Sequence, residues 1–161
     1  MSPVHVLGID PGLAATGYGL LGQEGQVLAA GTIRTAPGPI GARLVLVAQG
    51  IEESLARHRV DEVSIEELFA GRNSSTVVGV AQSRGAVLLV LERAGKPVFE
   101  YKPAQIKAVL TGYGVADKTQ MARMLASQLQ LPSGLDDHAV DALALALCHL
   151  RSRRLRRTVG I

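Results

Sequence analysis

Residues 4–10, VHVLGID, constrain the fold more than any other stretch. Val4, Val6, Leu7 and Ile9 form a nearly continuous apolar run, and three of the four are β-branched. A strand of that kind is covered on both faces, as strands inside an α/β sheet are. The run stops at Asp10, followed at once by Pro11 and Gly12. A residue before proline is held extended, so Asp10 stays strand-like and projects from a fixed backbone. Pro-Gly then favours a tight type II turn beside the carboxylate. Three readings follow: a turn-capping aspartate, a loop that cradles phosphate, or a carboxylate that holds a metal.

The rest of the chain supplies the layers. Residues 17–21 and 26–35 read as two more strands joined through Gln23-Glu24-Gly25. APGPIGARL breaks the sheet and leads into a helix over about 41–58, with Leu44, Val47, Ala48, Ile51 and Leu55 at spacings of three and four. Residues 61–66 form a short strand. A polar segment then opens a long helix from about 74 to 95, capped by Asn73 or Ser74. A strand over 96–101 and helices over 103–111 and about 118–130 come next, and a last helix runs from about Asp137 into the arginines. Three strands, then helix, strand, helix, strand and further helices make a mixed α/β sheet, with an antiparallel meander first and parallel crossovers later. In that order the first strand can neighbour the 62–66 strand, which brings Asp10 and Glu66 to one carboxyl edge.

With 161 residues, a net charge of +3 and one cysteine, the chain reads as one domain over 1–150 with a basic tail over 151–161. The single Cys148 excludes a disulfide framework or a cysteine zinc site. The start lacks the pattern of a signal peptide, and no apolar run approaches the roughly 20 residues of a membrane span, so a cytoplasmic location is expected. Five arginines between Arg151 and Arg157 suit a solvated or disordered tail, or contact with a polyanion.

The acids carry the chemistry. Glu66 and Glu67 point oppositely in an extended chain, and alternation with Ile65 leaves open which faces Asp10. In DDHAVDALALALCHL, His138 and Asp141 share a helix face at i,i+3, and Asp137 and Asp141 do so at i,i+4. Val140, Leu143, Leu147 and Leu150 form the opposite, core stripe, and the alanines at 139, 142, 144 and 146 let the helix approach a sheet closely. Asp136 and Asp137 suit the helix N-terminus; Asp141, one turn further in, is costly to bury without a partner. Three or four hard ligands from separate segments suit Mg²⁺ or Mn²⁺. Two such ions about 4 Å apart favour phosphodiester cleavage.

LGIDPGLAATGYGLL, SIEELFAGRNSST, AQSRGAVLL, YKPAQIKAVLTGYGVADKTQM and DHAVDALALALCHL resemble, in order and spacing, the RuvC family of Holliday-junction resolvases. The likeness runs from about residue 5 to 150. It implies a ribonuclease-H-like mixed five-stranded sheet flanked by helices. It also implies four metal-binding catalytic positions: Asp10, Glu66 rather than Glu67, His138 and Asp141. Many members carry Asp where this chain has His138, and Asp136 and Asp137 then serve as caps. The implied activity is a DNA endonuclease that resolves four-way junctions by paired symmetric nicks, using two Mg²⁺ or Mn²⁺ ions per site, in recombination and repair.

By the same resemblance Phe69 stacks at the junction centre, Arg72 and Asn73 touch the DNA backbone, and Lys107 and Lys118 serve junction binding or cleavage. The helix at 74–94, with Gly79, Ala81, Ser83 and Gly85, resembles the family's dimer-forming helix. A homodimer and the branch-migration proteins RuvA and RuvB are the implied partners. Three rivals remain on residues alone. GIDPG with TGYG also resembles a sugar-kinase phosphate loop, though no second such loop is present. A non-catalytic junction-binding module and a ribonuclease H are the others.

Overall fold

The computed structural model describes residues 2–68 and 74–159. Ten elements follow one another: β1 (Val6–Asp10), β2 (Ala15–Leu21), β3 (Val27–Arg34), α1 (Ile40–Arg57), β4 (Glu62–Glu66), α2 (Ser74–Arg93), β5 (Val98–Tyr101), α3 (Pro103–Thr111), α4 (Lys118–Gln128) and α5 (Asp137–Val159). The five strands form one mixed sheet in the order β3-β2-β1-β4-β5. β1 runs antiparallel to β2 and parallel to β4, and β5 extends the parallel half. Ile9 stands opposite Ile65, so the next residues, Asp10 and Glu66, emerge at the same edge.

Alternation along the strands divides the core in two. Leu7, Ile9 and Val63 pack against Val47 and Ile51 of α1 and Val87 and Leu91 of α2. On the other face, Val6, Leu21 and Tyr101 pack with Ile106 of α3, Leu125 of α4 and Leu143 of α5. Burial of β1 on both sides is what its apolar run predicts. Asp117 begins α4 with a capping box: its carboxylate accepts from the Gln120 N–H at 2.8 Å and the Gln120 side chain accepts from the Asp117 N–H at 2.9 Å.

α5 differs from the predicted single core stripe. Residues 142–150 are buried all round, because the helix lies on the sheet with one side and against α3 with another. Glycines make its close approach to the sheet feasible. A methyl group at Gly8 would overlap the Ala142 carbonyl oxygen, and one at Gly17 would overlap that of His138. The alanines of α5 and the glycines of β1 and β2 therefore bring backbone against backbone.

The arginines that sequence reading assigns to a tail stand on α5, which continues unbroken to Val159. Arg151 donates to the carbonyls of Val109 and Leu110 at the end of α3, Arg153 pairs with Glu62, and Arg154 donates to the Gln23 carbonyl. The small residues of α2 also separate. Positions two apart on a helix do not share a face, and Ser83 is buried while Gly85 is exposed. No helix among the described residues is long and apolar enough to cross a membrane.

Candidate active site

The α5 face of β4 carries Glu62, Ser64 and Glu66. Its middle member is anchored, because the Ser64 hydroxyl donates to the Leu145 carbonyl at 2.8 Å. Side chains two residues apart share a face of a strand, so Glu66 follows Ser64 toward α5. Asp10 is likewise two residues beyond Gly8, which touches α5. The alternation left open at Glu66 and Glu67 is therefore decided by the docking of Ser64.

Asp10, Glu66 and Asp141 line one cleft of about 470 Å³, together with Asp137, Lys107 of α3 and Lys118 of α4. Asp136, just before α5, fixes that helix's start. Its carboxylate accepts from the Ala139 N–H at 3.0 Å and the Thr32 hydroxyl at 2.6 Å, and it also pairs with Arg34. These hydrogen bonds, the Thr32 hydroxyl foremost, lower its pKa. Asp136 takes the capping role expected of it; Asp137 stands in the first turn of the helix and also lines the cleft.

Electrostatics mark the acids as mutually strained. Burial, then the charge of Asp141 and, less strongly, that of Glu66, push the Asp10 carboxyl up to about 6, while His138 opposes them through its charge and a hydrogen bond. Asp141 stands at the exposed rim of the cleft, yet partial desolvation raises its pKa, with Lys118 opposing and Asp137 reinforcing. His138 turns its Nδ1 to 3.6 Å from Asp10 Oδ2. The structure thus brings together Asp10, Glu66, His138, Asp141, Lys107 and Lys118. Phe69, Arg72 and Asn73 lie outside the described residues.

Among the described residues no three His, Cys, Asp or Glu side chains close around a single point. The acids instead line an open cleft. That arrangement fits Mg²⁺, which keeps several waters and is held by one or two carboxylates with substrate phosphates rather than by an all-protein cage. Crowded carboxylates with an upshifted member are relieved by a divalent cation, so the donor set fits.

A smaller cavity of about 250 Å³ adjoins Asp10 and Glu66 on the side of α2, lined also by Arg84 and Glu67. Sequence reading assigned no role to Arg84, although it lies in the AQSRG segment; a buried arginine there looks like any helix-surface arginine. Ser64 and Thr16 were missed for the same reason, and Ser83 was read only as a small residue of α2, since a hydroxyl gives no sign of its partner in sequence.

A profile of the family described as crossover junction endodeoxyribonuclease RuvC matches residues 6–149. The chain belongs to the RuvC family. A RuvC of Syntrophomonas wolfei is 48% identical over 159 residues, covering 94% of this chain and 91% of the relative. One of Clostridioides difficile is 42% identical over 159 residues, covering 96% and 94%. Among solved structures, Thermus thermophilus RuvC in complex with a Holliday junction substrate superposes with a TM-score of 0.88 at 34% identity, covering 94% of this chain and 96% of that one. The yeast mitochondrial resolvase Ydc2, at 12% identity and a TM-score of 0.67, shares the fold over 95% of this chain and 80% of its own. The RuvC match covers both acid-bearing strand ends and the acid-bearing turn of α5.

Proposed function

We propose that this chain resolves four-way DNA junctions by paired symmetric nicks, through metal-dependent phosphodiester hydrolysis, in homologous recombination and DNA repair. The observation that carries the reading is the convergence of Asp10, Glu66 and Asp141 on one cleft whose other wall presents Lys107 and Lys118. Membership of the RuvC family supports the choice of junction over duplex.

Asp10, Glu66 and Asp141, with His138, would hold two Mg²⁺ or Mn²⁺ ions, which supply Lewis acidity for water activation and for the leaving oxygen. Lys107 and Lys118 draw the phosphate backbone into the cleft and neutralise it. Attack by water forms a new bond to phosphorus and breaks the bond to the 3′ oxygen, leaving a 5′-phosphate and a 3′-hydroxyl. Phe69, Arg72 and Asn73 are assigned the junction-centre and backbone contacts.

A homodimer supplies two such clefts for two strands of like polarity. The exposed face of α2 favours it: Val78, Gln82, Gly85 and Leu89 are exposed along one side, and a methyl at Gly85 would meet nothing within 4 Å. A helix glycine costs about 1 kcal/mol relative to alanine, and packing within the chain does not require it. RuvA and RuvB are the proposed partners and the cytoplasm the proposed location.

The test offers a mobile four-way junction, a plain duplex and an RNA–DNA hybrid with Mg²⁺, Mn²⁺ or Ca²⁺. Paired ligatable nicks on the junction alone are expected. Equal cutting of duplex or hybrid overturns the assignment.

A further inference from the structure

Helix α2 lies across the sheet from α5, yet two adjacent residues of it reach the edge where the acids emerge. Arg84 is only 9% exposed. One arm of its guanidinium donates to the Glu66 carbonyl oxygen at 2.7 Å, and the other donates to Glu100 Oε1 at 2.7 Å. Ser83, fully buried, places its hydroxyl 3.3 Å from that of Thr16. The single Thr16 proton goes to the Gly12 carbonyl at 2.7 Å, so Ser83 is the donor between the two hydroxyls. Thr16 Oγ1 also accepts from the Gly12 N–H at 3.3 Å. Gly12 belongs to the turn that follows Asp10.

We propose that Ser83 and Arg84 are positioning residues that together set the separation of Asp10 and Glu66. The inference rests on the nuclease reading above. Burying a guanidinium is expensive unless it is hydrogen-bonded and paired, and here one arm is bound to the strand end and the other to Glu100. The planar fork reaches two acceptors at fixed geometry, which a lysine ammonium does not reproduce. The pairing of β1 with β4 runs from Val6 and Glu62 to Ile9 and Ile65, one residue short of the two acids. From α2, Arg84 holds the end of β4 directly, and Ser83 reaches the turn after Asp10 through Thr16. Misplacement of a catalytic group by about 1 Å costs on the order of a hundredfold in rate, so this brace has leverage over the chemistry without touching it.

The test compares wild type with Arg84→Met, Arg84→Lys, Ser83→Ala and Glu100→Gln. Three quantities are read: single-turnover cleavage of a four-way junction, the dissociation constant for that junction in Ca²⁺, and free Mn²⁺ by electron paramagnetic resonance during titration of the DNA-free protein. Arg84→Met is expected to lower the cleavage rate roughly a hundredfold and Ser83→Ala about tenfold, with junction affinity changed less than about threefold. Mn²⁺ binding weakens in both, and Arg84→Lys recovers part of the loss. Glu100→Gln, on the half-exposed partner, gives a smaller loss of the same pattern and covers the case in which Arg84→Met does not fold. Wild-type rates and Mn²⁺ binding in Arg84→Met and Glu100→Gln overturn the inference, as does a parallel fall of affinity and rate. If wild type itself leaves the junction uncut, the nuclease reading fails, while the Mn²⁺ titration still decides the brace.

Discussion

Ser64 donates its hydroxyl to the Leu145 carbonyl at 2.8 Å, and this one bond indexes α5 against β4. Below it, Glu62 meets His149 and Arg153; above it, Glu66 faces the cleft that Asp141 also lines. A two-residue step along a strand is about 6.6 Å and a four-residue step along a helix about 6 Å. Positions 62, 64 and 66 therefore keep pace with 149, 145 and 141. The helix that carries His138 and Asp141 has one height over the sheet.

Gly8→Ala and Gly17→Ala test the closeness of that helix. In both the new methyl meets α5 backbone, which has no rotamer to yield. Each substitution is expected to destabilise by about 2 kcal/mol or more through overpacking, read from the denaturant midpoint. Gly17→Ala, beside His138, is expected also to reduce cleavage beyond what its lost stability explains.

His149 supplies a pH dependence. Its Nδ1 accepts from the Tyr101 hydroxyl and its Nε2–H donates to Glu62, both at 2.6 Å, which a neutral imidazole satisfies. Burial lowers its pKa below the ordinary 6.5. Unfolding then takes up a proton, so this contribution to stability is complete above about pH 6.5 and is lost as pH falls through that value, by less than about 1.4 kcal/mol per pH unit. The stability advantage of wild type over His149→Phe is expected to shrink between pH 7 and 5. An advantage that grows on acidification means that the imidazole is charged in the fold.

Asp10 has the opposite sign. With its folded pKa near 6 instead of 3.8, the ionised carboxylate destabilises the metal-free protein at neutral pH. Asp10→Asn in EDTA is expected to be more stable at pH 8 by about 1–3 kcal/mol, with the gain fading as pH falls below about 6. Melting curves across that range, with EDTA present throughout, check it.

Lys107 and Lys118 are assigned phosphate contacts. Replacing either with Gln is expected to weaken junction binding and to lower the slope of log K against log salt by about one. An unchanged slope at Lys118 would leave that lysine as a partner of Asp141 alone.

The layering and the edge that carries Asp10 and Glu66 were legible in sequence because they follow from local signals: an apolar run that stops at an acid, twice, in adjacent strands. The choice between Glu66 and Glu67 was not legible from residues, since period-two alternation names two faces without saying which one α5 covers. Ser64 decides it through a contact 81 residues away. Arg151 and Arg153 looked solvated because their partners, the α3 carbonyls and Glu62, are distant in sequence. Arg84 was hidden in the same way.

The most direct measurement of the central claim follows nicking and binding of one four-way junction by Asp10→Asn, Glu66→Gln and Asp141→Asn beside wild type. Wild type is expected to give paired symmetric nicks with Mg²⁺ or Mn²⁺. The three variants are expected to bind the junction as tightly as wild type in Ca²⁺ and to leave it uncut. Nicking that survives in any of the three, or that falls only in step with binding, contradicts a single active centre built from β1, β4 and α5.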